Sequence, residues 1–133
     1  MRQQAYRGAI LFGLGLVVRA ALIQAYPQIF GSDSITRLVN RHLIVLAHQL
    51  PALQASIWLL TKISGDPLLI RYWVAGIGAV AGLGFYLLAT DLMESEDALW
   101  AALFFVSNPL VLAYSIVPYQ EILMLAGLFF AFH

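Results

Sequence analysis

Long apolar runs separated by polar segments dominate the chain, and they predict membrane-spanning helices. Three runs, at residues 8–26, 68–90 and 98–117, are each close to the ~20 residues that a helix needs to cross a ~30 Å hydrocarbon core. A fourth run, 122–133, extends only about 18 Å as a helix, which is too short to cross. The pattern therefore predicts an all-α, polytopic transmembrane protein. Unless it is re-entrant, the short last run indicates a fragment or a truncated gene product of a larger polytopic protein.

The composition agrees with lipid as the main solvent of the chain. Hydrophobic residues make up 62% of the 133 residues and charged residues only 11%, against roughly 45–50% and about 25% in a typical soluble domain. Seven basic and seven acidic residues cancel, so the chain lacks the basic excess with which proteins bind nucleic-acid phosphates. It contains no cysteine, which excludes disulfides and thiolate sites, and no histidine spacing indicates a metal site.

Features inside the apolar runs predict how the helices pack. The second run contains Gly78-x-x-x-Gly82 within a glycine-rich face, which we expect to pack closely against a neighbouring span. At the start of this run, Arg71 and the two aromatic residues after it are expected to reach the membrane interface, the arginine by snorkelling. In the third run Pro109 removes a backbone donor, so a kink is expected there.

The charges that flank the runs predict the orientation of the chain. Arg2 and Arg7 place the N-terminus in the cytoplasm, and a cleaved signal peptide is disfavoured because Arg19 interrupts the first run. The loop 27–67 is also basic, and a raw count would favour the opposite orientation. Because its arginines lie on a predicted helix, we expect this loop to be extracytoplasmic. The acidic loop 91–97 is then a solvated cytoplasmic turn.

Two amphipathic stretches in the loop 27–67 predict a pair of interfacial helices. The first follows a turn in which Ser32 or Asp33 can cap the helix, and it has an apolar and a basic side. The second begins at Pro51 and ends at Gly65. The apolar side of the first stretch comprises Ile35, Leu38, Val39, His42, Leu43, Leu46 and Leu50, its basic side Arg37, Arg41 and His48, and the apolar side of the second Leu53, Ile57 and Leu60.

Two interpretations of the first stretch follow from its residues. In one, Asp33 is only an N-cap, and Arg37 and Arg41 bind anionic lipid headgroups at the interface. In the other, these residues handle a lipid-linked phosphate. The carboxylate then accepts the proton of an attacking hydroxyl, and the arginines stabilise the phosphate that leaves. Both interpretations need the same placement at the membrane surface, so the pattern leaves them open.

Six short motifs follow one another in a defined order relative to the spans. They are Val17-Val18-Arg19, Asp33-x-x-x-Arg37, Gln49-Leu50-Pro51-Ala52-Leu53, Asp66-Pro67 with Arg71, Asn108-Pro109 with Tyr114-Ser115, and Pro118-x-x-Glu121. In this order the chain resembles the N-terminal part of multi-span C-type (GT-C) glycosyltransferases. The resemblance is to the protein O-mannosyltransferases and lipid A aminoarabinose transferases of glycosyltransferase family 39, and it covers essentially the whole chain.

This resemblance implies that residues 1–133 form the N-terminal part of one transmembrane glycosyltransferase domain, in a bacterial or archaeal plasma membrane. The donor is then a polyprenyl-phosphate-linked sugar, the acceptor is a lipid, protein or glycan outside the cytoplasm, and no cofactor is required. The position that matches the family's catalytic acid is Asp33, in the first extracytoplasmic loop. Ser34 stands where a second acid often follows in the family, so the chain departs from the two-carboxylate version of the site.

The remaining candidate residues belong to substrate binding. Glu121 matches the acidic position of the family's second outer loop, which orients donor or acceptor. Arg37 and Arg41 are the candidates for contact with the departing phosphate. Arg19 has two open roles, a structural one and a further contact with the donor phosphate.

Two other classes of function compete with the transferase. The chain fits a non-catalytic membrane scaffold or subunit that packs through its glycine face and binds anionic lipids through Arg37 and Arg41. It also has features of a transporter fragment, namely Arg19 and the break at Pro109. The transporter is the weaker of the two, because no acidic residue lies in the middle of a predicted span.

Overall fold

A computed structural model describes residues 2–28, 32–44 and 51–133, and every regular element within these ranges is an α-helix. The side chains of Arg2, Ser32, Asp33 and Ser34 lie outside the description. The helices are α1 (Arg2–Ala25), α2 (Ser32–Val39), α3 (Pro51–Thr61), α4 (Pro67–Leu92), α5 (Ser95–Ser107), α6 (Pro109–Ile116) and α7 (Gln120–Phe132). The all-α class predicted from the sequence is confirmed for the described residues.

Two helices are long and apolar enough to cross a membrane. They are α1, from Gln3 to Ala25, and α4, from Pro67 to Leu92, and they correspond to the first two predicted spans. The third predicted span is divided into α5 and α6, which meet at an angle of 58° and count as a further span only when taken together. The fourth run forms α7, with 13 residues.

The bend between α5 and α6 follows from the residues at the junction. Pro109 has no N–H and begins α6, so the α5 helix ends before it. Asn108 then caps the new helix, since its Oδ1 accepts hydrogen bonds from the backbone N–H of Leu110 (2.9 Å) and of Val111 (3.4 Å). The kink predicted at Pro109 is confirmed.

Contacts between helix ends define two ends of the bundle. At the turn end, near the turn between α4 and α5, Arg7 of α1 donates to Ser95 Oγ of α5 (3.1 Å). At the loop end, near the loop between α1 and α4, Arg71 of α4 donates to the carbonyl of Ile116, the last residue of α6 (2.8 Å). The bent pair α5–α6 therefore runs from the turn end to the loop end.

Helix α7 returns along the bundle in the opposite direction. Its first residue, Gln120, accepts a hydrogen bond from Arg37 of α2 at the loop end. After its last turn, His133 Nδ1 lies 2.6 Å from Asp91 Oδ2 at the turn end. Consecutive passes through the bundle by α1, α4, α5–α6 and α7 are therefore antiparallel.

Helix α4 is the centre of the bundle and packs against α1, α5, α6 and α7. Its glycines permit close approach: a Cβ added to Gly82 would lie 2.5 Å from Val106 Cγ1 of α5. A Cβ on Gly78 would collide with Ser115 of α6. The predicted packing of the glycine face against neighbouring spans is confirmed, whereas Gly76 faces open space.

The helix of the first amphipathic stretch is shorter than its spacing predicts. It ends at Val39, and residues 40–44 form turns and a bend. The physical reason is a contact with α3, because Gln54 Nε2 donates to the carbonyls of Asn40 (3.0 Å) and Leu43 (3.1 Å). These carbonyls are satisfied without a continued helix. Leu46, His48 and Leu50 lie outside the described residues.

The second stretch forms α3 from Pro51 as predicted, with Leu53 and Ile57 buried. In α2, the one residue of the predicted basic side, Arg37, is buried. Arg37 is only 2% exposed, while Val39 on the expected apolar side is 63% exposed. The Arg37 side chain is enclosed against α7, and Leu38 beside it is buried too.

Candidate functional site

Buried polar side chains concentrate toward the loop end of the bundle. Within the described residues, five polar or charged side chains are buried: Arg19, Arg37, Gln54, Arg71 and Ser115. Burying a cation costs several kcal/mol unless donors and acceptors are satisfied, so such groups mark sites that the chain maintains at a cost in stability. The loop end is therefore the candidate site.

Arg37 joins two segments that are far apart in the sequence. Its Nη2 donates to Gln120 Oε1 at 2.7 Å, across a separation of 83 residues. This contact brings α2 against the first turn of α7, where Glu121 follows Gln120. One oxygen of Glu121, Oε2, is buried with no hydrogen-bond partner among the described residues. Arg37, Gln120 and Glu121 are hereafter the end cluster.

Two of the predicted site residues are not joined to the end cluster by a described contact. Asp33 lies one helical turn before Arg37 in α2, and its side chain is outside the described residues. Arg41 is half-buried and its Nη1 donates to the carbonyl of Leu38 at 2.9 Å, within its own segment. Their predicted roles stay predictions.

Arg71 lies at the loop end, and its burial there was not predicted from the sequence. It is fully buried, and it donates to three carbonyls: from Nε to Ile116 (2.8 Å), and from Nη1 to Tyr26 (3.1 Å) and Pro27 (2.9 Å). The expectation that it snorkels to the interface is wrong. Carbonyls at helix C-termini lack intrahelical donors and favour a cation, so Arg71 satisfies the ends of α1 and α6 together.

A signal for this burial was present in the sequence. Arg71 shares a helical stripe with Ala75, Gly78 and Gly82, at spacings of four, seven and eleven residues, and all four are buried. A cation on the same stripe as a close-packing small-residue face points into the bundle instead of toward lipid. Arg71 thus joins the end of α1, after which the chain leads to Asp33, to the end of α6, after which it leads to Glu121.

Arg19 lies deeper in the bundle than the end cluster. It is fully buried in α1, and its Nη1 donates to the carbonyl of Gly15 at 2.9 Å. Its Nε and Nη2 are buried without a hydrogen-bond partner among the described residues. A Cβ on Gly78 would lie 2.7 Å from Nε, which places the guanidinium at the junction of α1, α4 and α6. Gly78 follows Arg71 by seven residues, so this junction is about 10 Å farther into the bundle.

Gln54 and Gln120 were also missed as members of the loop end. Gln54 of α3 is fully buried, and it anchors the turn after α2. Gln120 binds Arg37. Uncharged amides inside an apolar pattern are the only sequence signal for either residue, and their partners lie in other helices.

A small apolar groove adjoins the end cluster. It has a volume of about 180 Å³, lies between α3 and α7, and is lined by Ala52, Leu53, Gln120, Leu123 and Met124. Since Gln120 belongs both to this groove and to the end cluster, an apolar compartment and a cation lie side by side. This pairing suits a ligand with an apolar chain attached to an anionic head.

The acidic turn at the other end has none of these features. Asp91, Glu94, Glu96 and Asp97 are all exposed, as predicted for a solvated turn. Among the residues that the structure describes, no three His, Asp or Glu side chains are grouped so that they could hold a metal ion.

Comparison of the chain with protein-family models, with curated proteins and with solved structures gives no significant match.

Proposed function

We propose that the chain is the N-terminal portion of a membrane glycosyltransferase that transfers a sugar from a polyprenyl-phosphate donor to an extracytoplasmic acceptor. The observation that carries the proposal is the hydrogen bond between Arg37 and Gln120. It brings together two motifs that the sequence analysis assigned to one active site, Asp33-x-x-x-Arg37 and Pro118-x-x-Glu121. The contact supports the proposal because both motifs were assigned to one site before their positions were known.

The phosphate of the donor binds at Arg37 in this proposal. A guanidinium presents several donors in a fixed fork that matches phosphate oxygens, and enclosure strengthens its charge. Arg41, in the turn that follows α2 and only half-buried, supplies a second cation. As the sugar leaves, negative charge grows on the phosphate, so fixed positive charge at this position lowers the barrier.

The acceptor reaction needs a base, and Asp33 is assigned that role. The acceptor hydroxyl oxygen forms a bond to the anomeric carbon of the sugar while the bond from that carbon to the phosphate oxygen breaks. The hydroxyl proton passes to the Asp33 carboxylate, and polyprenyl phosphate leaves with the bonding electron pair. Attack opposite to the leaving phosphate inverts the anomeric centre. Glu121, with one buried carboxylate oxygen, positions donor or acceptor.

The groove between α3 and α7 takes the part of the polyprenyl chain next to the phosphate. Its lining is almost entirely apolar apart from Gln120, which also contacts Arg37. A groove of about 180 Å³ holds only a short part of an isoprenoid chain, and the remainder lies in the membrane. The two candidate spans α1 and α4 support a membrane location, and we assign the loop end to the extracytoplasmic side.

The competing scaffold hypothesis accounts for fewer of the contacts. It needs a glycine face that is free to bind a partner, yet Gly78 and Gly82 are packed against Ser115 and Val106 of the same chain. It also needs Arg37 at the surface for lipid headgroups, whereas that side chain is 2% exposed.

The proposal is tested by sugar transfer in membranes that contain the full-length protein. The substrates are polyprenyl-phosphate mannose and polyprenyl-phosphate aminoarabinose, offered with a cell-envelope extract as the acceptor. We expect Asp33→Asn to lower transfer by roughly 10²–10⁴-fold, the range for loss of a positioned base, with unchanged membrane insertion. Asp97→Asn, an exposed acid at the turn end, is the matched control and should transfer normally. Unchanged transfer by the Asp33 variant would overturn the assignment.

A further inference from the structure

A second apolar groove lies on the side of the bundle, deeper than the groove between α3 and α7. It has a volume of about 280 Å³ and follows the outer surface of α4, a candidate membrane span, between α1 and α7. Its lining residues are Phe12 of α1, Trp73, Gly76, Ile77 and Val80 of α4, and Leu123 and Ala126 of α7. We call this space the α4 furrow. The proposed function assigns it no role.

The furrow and the groove between α3 and α7 form one continuous track. Leu123 lines both of them, so the furrow begins where the groove beside the end cluster ends. Along α7 the track runs from Gln120, which binds Arg37, to Ala126, a rise of about 9 Å. The track therefore has a cation at its loop end, and from there an apolar path leads along the side of the bundle.

Gly76 forms the floor of the furrow. A Cβ added there meets no atom within 4 Å, whereas Trp73 and Val80 on either side are 44% and 37% exposed. The furrow is thus a notch between two large side chains on the outer surface of α4. Trp73 is tied to α3, because its Nε1 donates to Ser56 Oγ at 3.2 Å. The wall of the furrow therefore continues into the helix that lines the first groove.

The shape of the furrow fits a single hydrocarbon chain better than another helix. Helices in a membrane pack closely where small residues recur at a spacing of four, but the residues four positions from Gly76 are Tyr72 and Val80. A single chain needs only the notch above Gly76. Because lipid is as apolar as the furrow, packing contacts and not the hydrophobic effect hold such a chain. The cation at the loop end of the track then favours a chain with an anionic headgroup.

We propose that the α4 furrow binds the isoprenoid chain of the donor beyond its first unit, and that Gly76 provides the space for it. The inference rests on the proposed function, which supplies the polyprenyl phosphate. The phosphate lies at Arg37, the first part of the chain lies in the groove between α3 and α7, and the next part lies above Gly76. A chain too short to pass Leu123 does not reach the furrow, so the site distinguishes donors by chain length.

Two probes of different chain length test this assignment. They are dimethylallyl phosphate, with one isoprene unit, and farnesyl phosphate, with three, and phosphorus NMR follows their binding to the full-length protein in maltoside micelles. We expect Gly76→Leu to weaken the binding of farnesyl phosphate roughly tenfold, because the leucine side chain occupies the notch. The binding of dimethylallyl phosphate should stay unchanged, since its chain ends in the first groove.

Gly13→Leu is the matched control. A Cβ on Gly13 also meets no atom within 4 Å, and this residue of α1 lines neither groove. The control should bind both probes as the unaltered protein does. All variants are compared at one micelle concentration, so the partition of each probe into micelles is the same for every variant.

Three results would overturn the proposal. One is the absence of binding of farnesyl phosphate to the unaltered protein, and the second is binding of this probe that Gly76→Leu leaves unchanged. The third is an equal loss for both probes, which would show that the substitution acts on the first groove and not on the furrow.

Sugar transfer separates a failure of this inference from a failure of the proposed function. If transfer requires Asp33 while farnesyl phosphate binds normally to Gly76→Leu, the furrow is not the chain site and the transferase stands. If both probes behave as expected while Asp33→Asn transfers sugar normally, the chain site stands and the catalytic assignment fails.

Thermal unfolding without a probe tests the other possible occupant, a further membrane helix. We expect Gly76→Leu to unfold at the same temperature as the unaltered protein or at a higher one, because leucine favours a helix more than glycine does and its Cβ meets no neighbouring atom. A helix seated in the furrow would be displaced by the leucine side chain. A lower unfolding temperature for Gly76→Leu, with no such fall for Gly13→Leu, would therefore overturn the proposal.

Discussion

The two ends of the bundle use polar side chains in different ways to join their helices. At the turn end, polar side chains meet near the surface: Gln4 Nε2 donates to Thr90 Oγ1 at 2.7 Å, and Asp91 and His133 are 45% and 37% exposed. At the loop end, Arg37 and Arg71 are enclosed and bind groups from other helices. Surface pairs cost little and contribute little, whereas enclosed cations are costly to place and costly to remove. The turn end is therefore held by exposed or half-exposed polar contacts, whereas the loop end is held by buried arginines.

The largest expected contrast between the ends is in stability. Arg71→Met leaves the carbonyls of Tyr26, Pro27 and Ile116 without this donor, and each buried acceptor left unpaired costs ~1–3 kcal/mol. We expect the free energy of unfolding in mixed detergent micelles to fall by about 3–5 kcal/mol. Arg7→Met at the turn end should cost less than ~1 kcal/mol. Equal losses in the two variants would remove the distinction.

A pairwise comparison sharpens the contrast. A double-mutant cycle of Arg37→Met with Gln120→Leu should give a coupling energy of about 1.5–3 kcal/mol, as for a hydrogen bond to a charged group. The corresponding cycle at the turn end, Gln4→Leu with Thr90→Val, should give about 0.5–1.5 kcal/mol. If the turn-end pair has the larger coupling energy, the loop end is not the end at which polar contacts contribute most to stability.

Between the two ends, packing at α4 determines whether both are held in place. Gly82→Ala adds a Cβ at 2.5 Å from Val106 Cγ1, so either the Val106 side chain must leave its rotamer or α4 and α5 must separate, at a cost of about 1–3 kcal/mol. Gly76→Ala is the matched control, because a Cβ there meets no atom within 4 Å, and it should be neutral or stabilise by up to ~1 kcal/mol. The two variants are compared by unfolding in the same micelles, and a reversed order would contradict the close approach of α4 and α5.

The smallest expected effect is at the exposed pair of the turn end. Asp91→Asn removes the charge that faces His133, and the loss should be at most about 1 kcal/mol, because more than a third of each side chain is exposed. Added salt should reduce even this difference between variant and unaltered protein. A larger loss that is insensitive to salt would mean that the turn end is organised by charge as well.

The sequence predicts those parts of the fold that are decided by residues adjacent in the chain. The spans of α1 and α4 follow from runs of apolar residues, and the bend follows from the missing N–H of Pro109. The start of α3 at Pro51 has the same local origin. Each of these features is decided by residues that are contiguous in the chain.

The parts that the sequence analysis missed depend on partners far along the chain. The end of α2 at Val39 depends on Gln54, whose amide binds carbonyls 11 and 14 residues earlier. The burial of Arg71 depends on carbonyls at the ends of α1 and α6, 44 and 45 residues away. A helical period identifies which residues share a face, but the neighbouring helix decides whether that face is buried.

The central claim is that enclosed charge at the loop end acts on a phosphate-linked sugar, and sugar transfer by Arg37→Gln tests it most directly. The comparison variant is Arg7→Gln, which removes an arginine at the turn end. Both are assayed as full-length protein in membranes with the polyprenyl-phosphate donors named above. We predict a fall of roughly 10²–10³-fold for the Arg37 variant, the usual range for loss of one group that stabilises transition-state charge, and little change for the Arg7 variant. Equal transfer by the two variants would contradict the account.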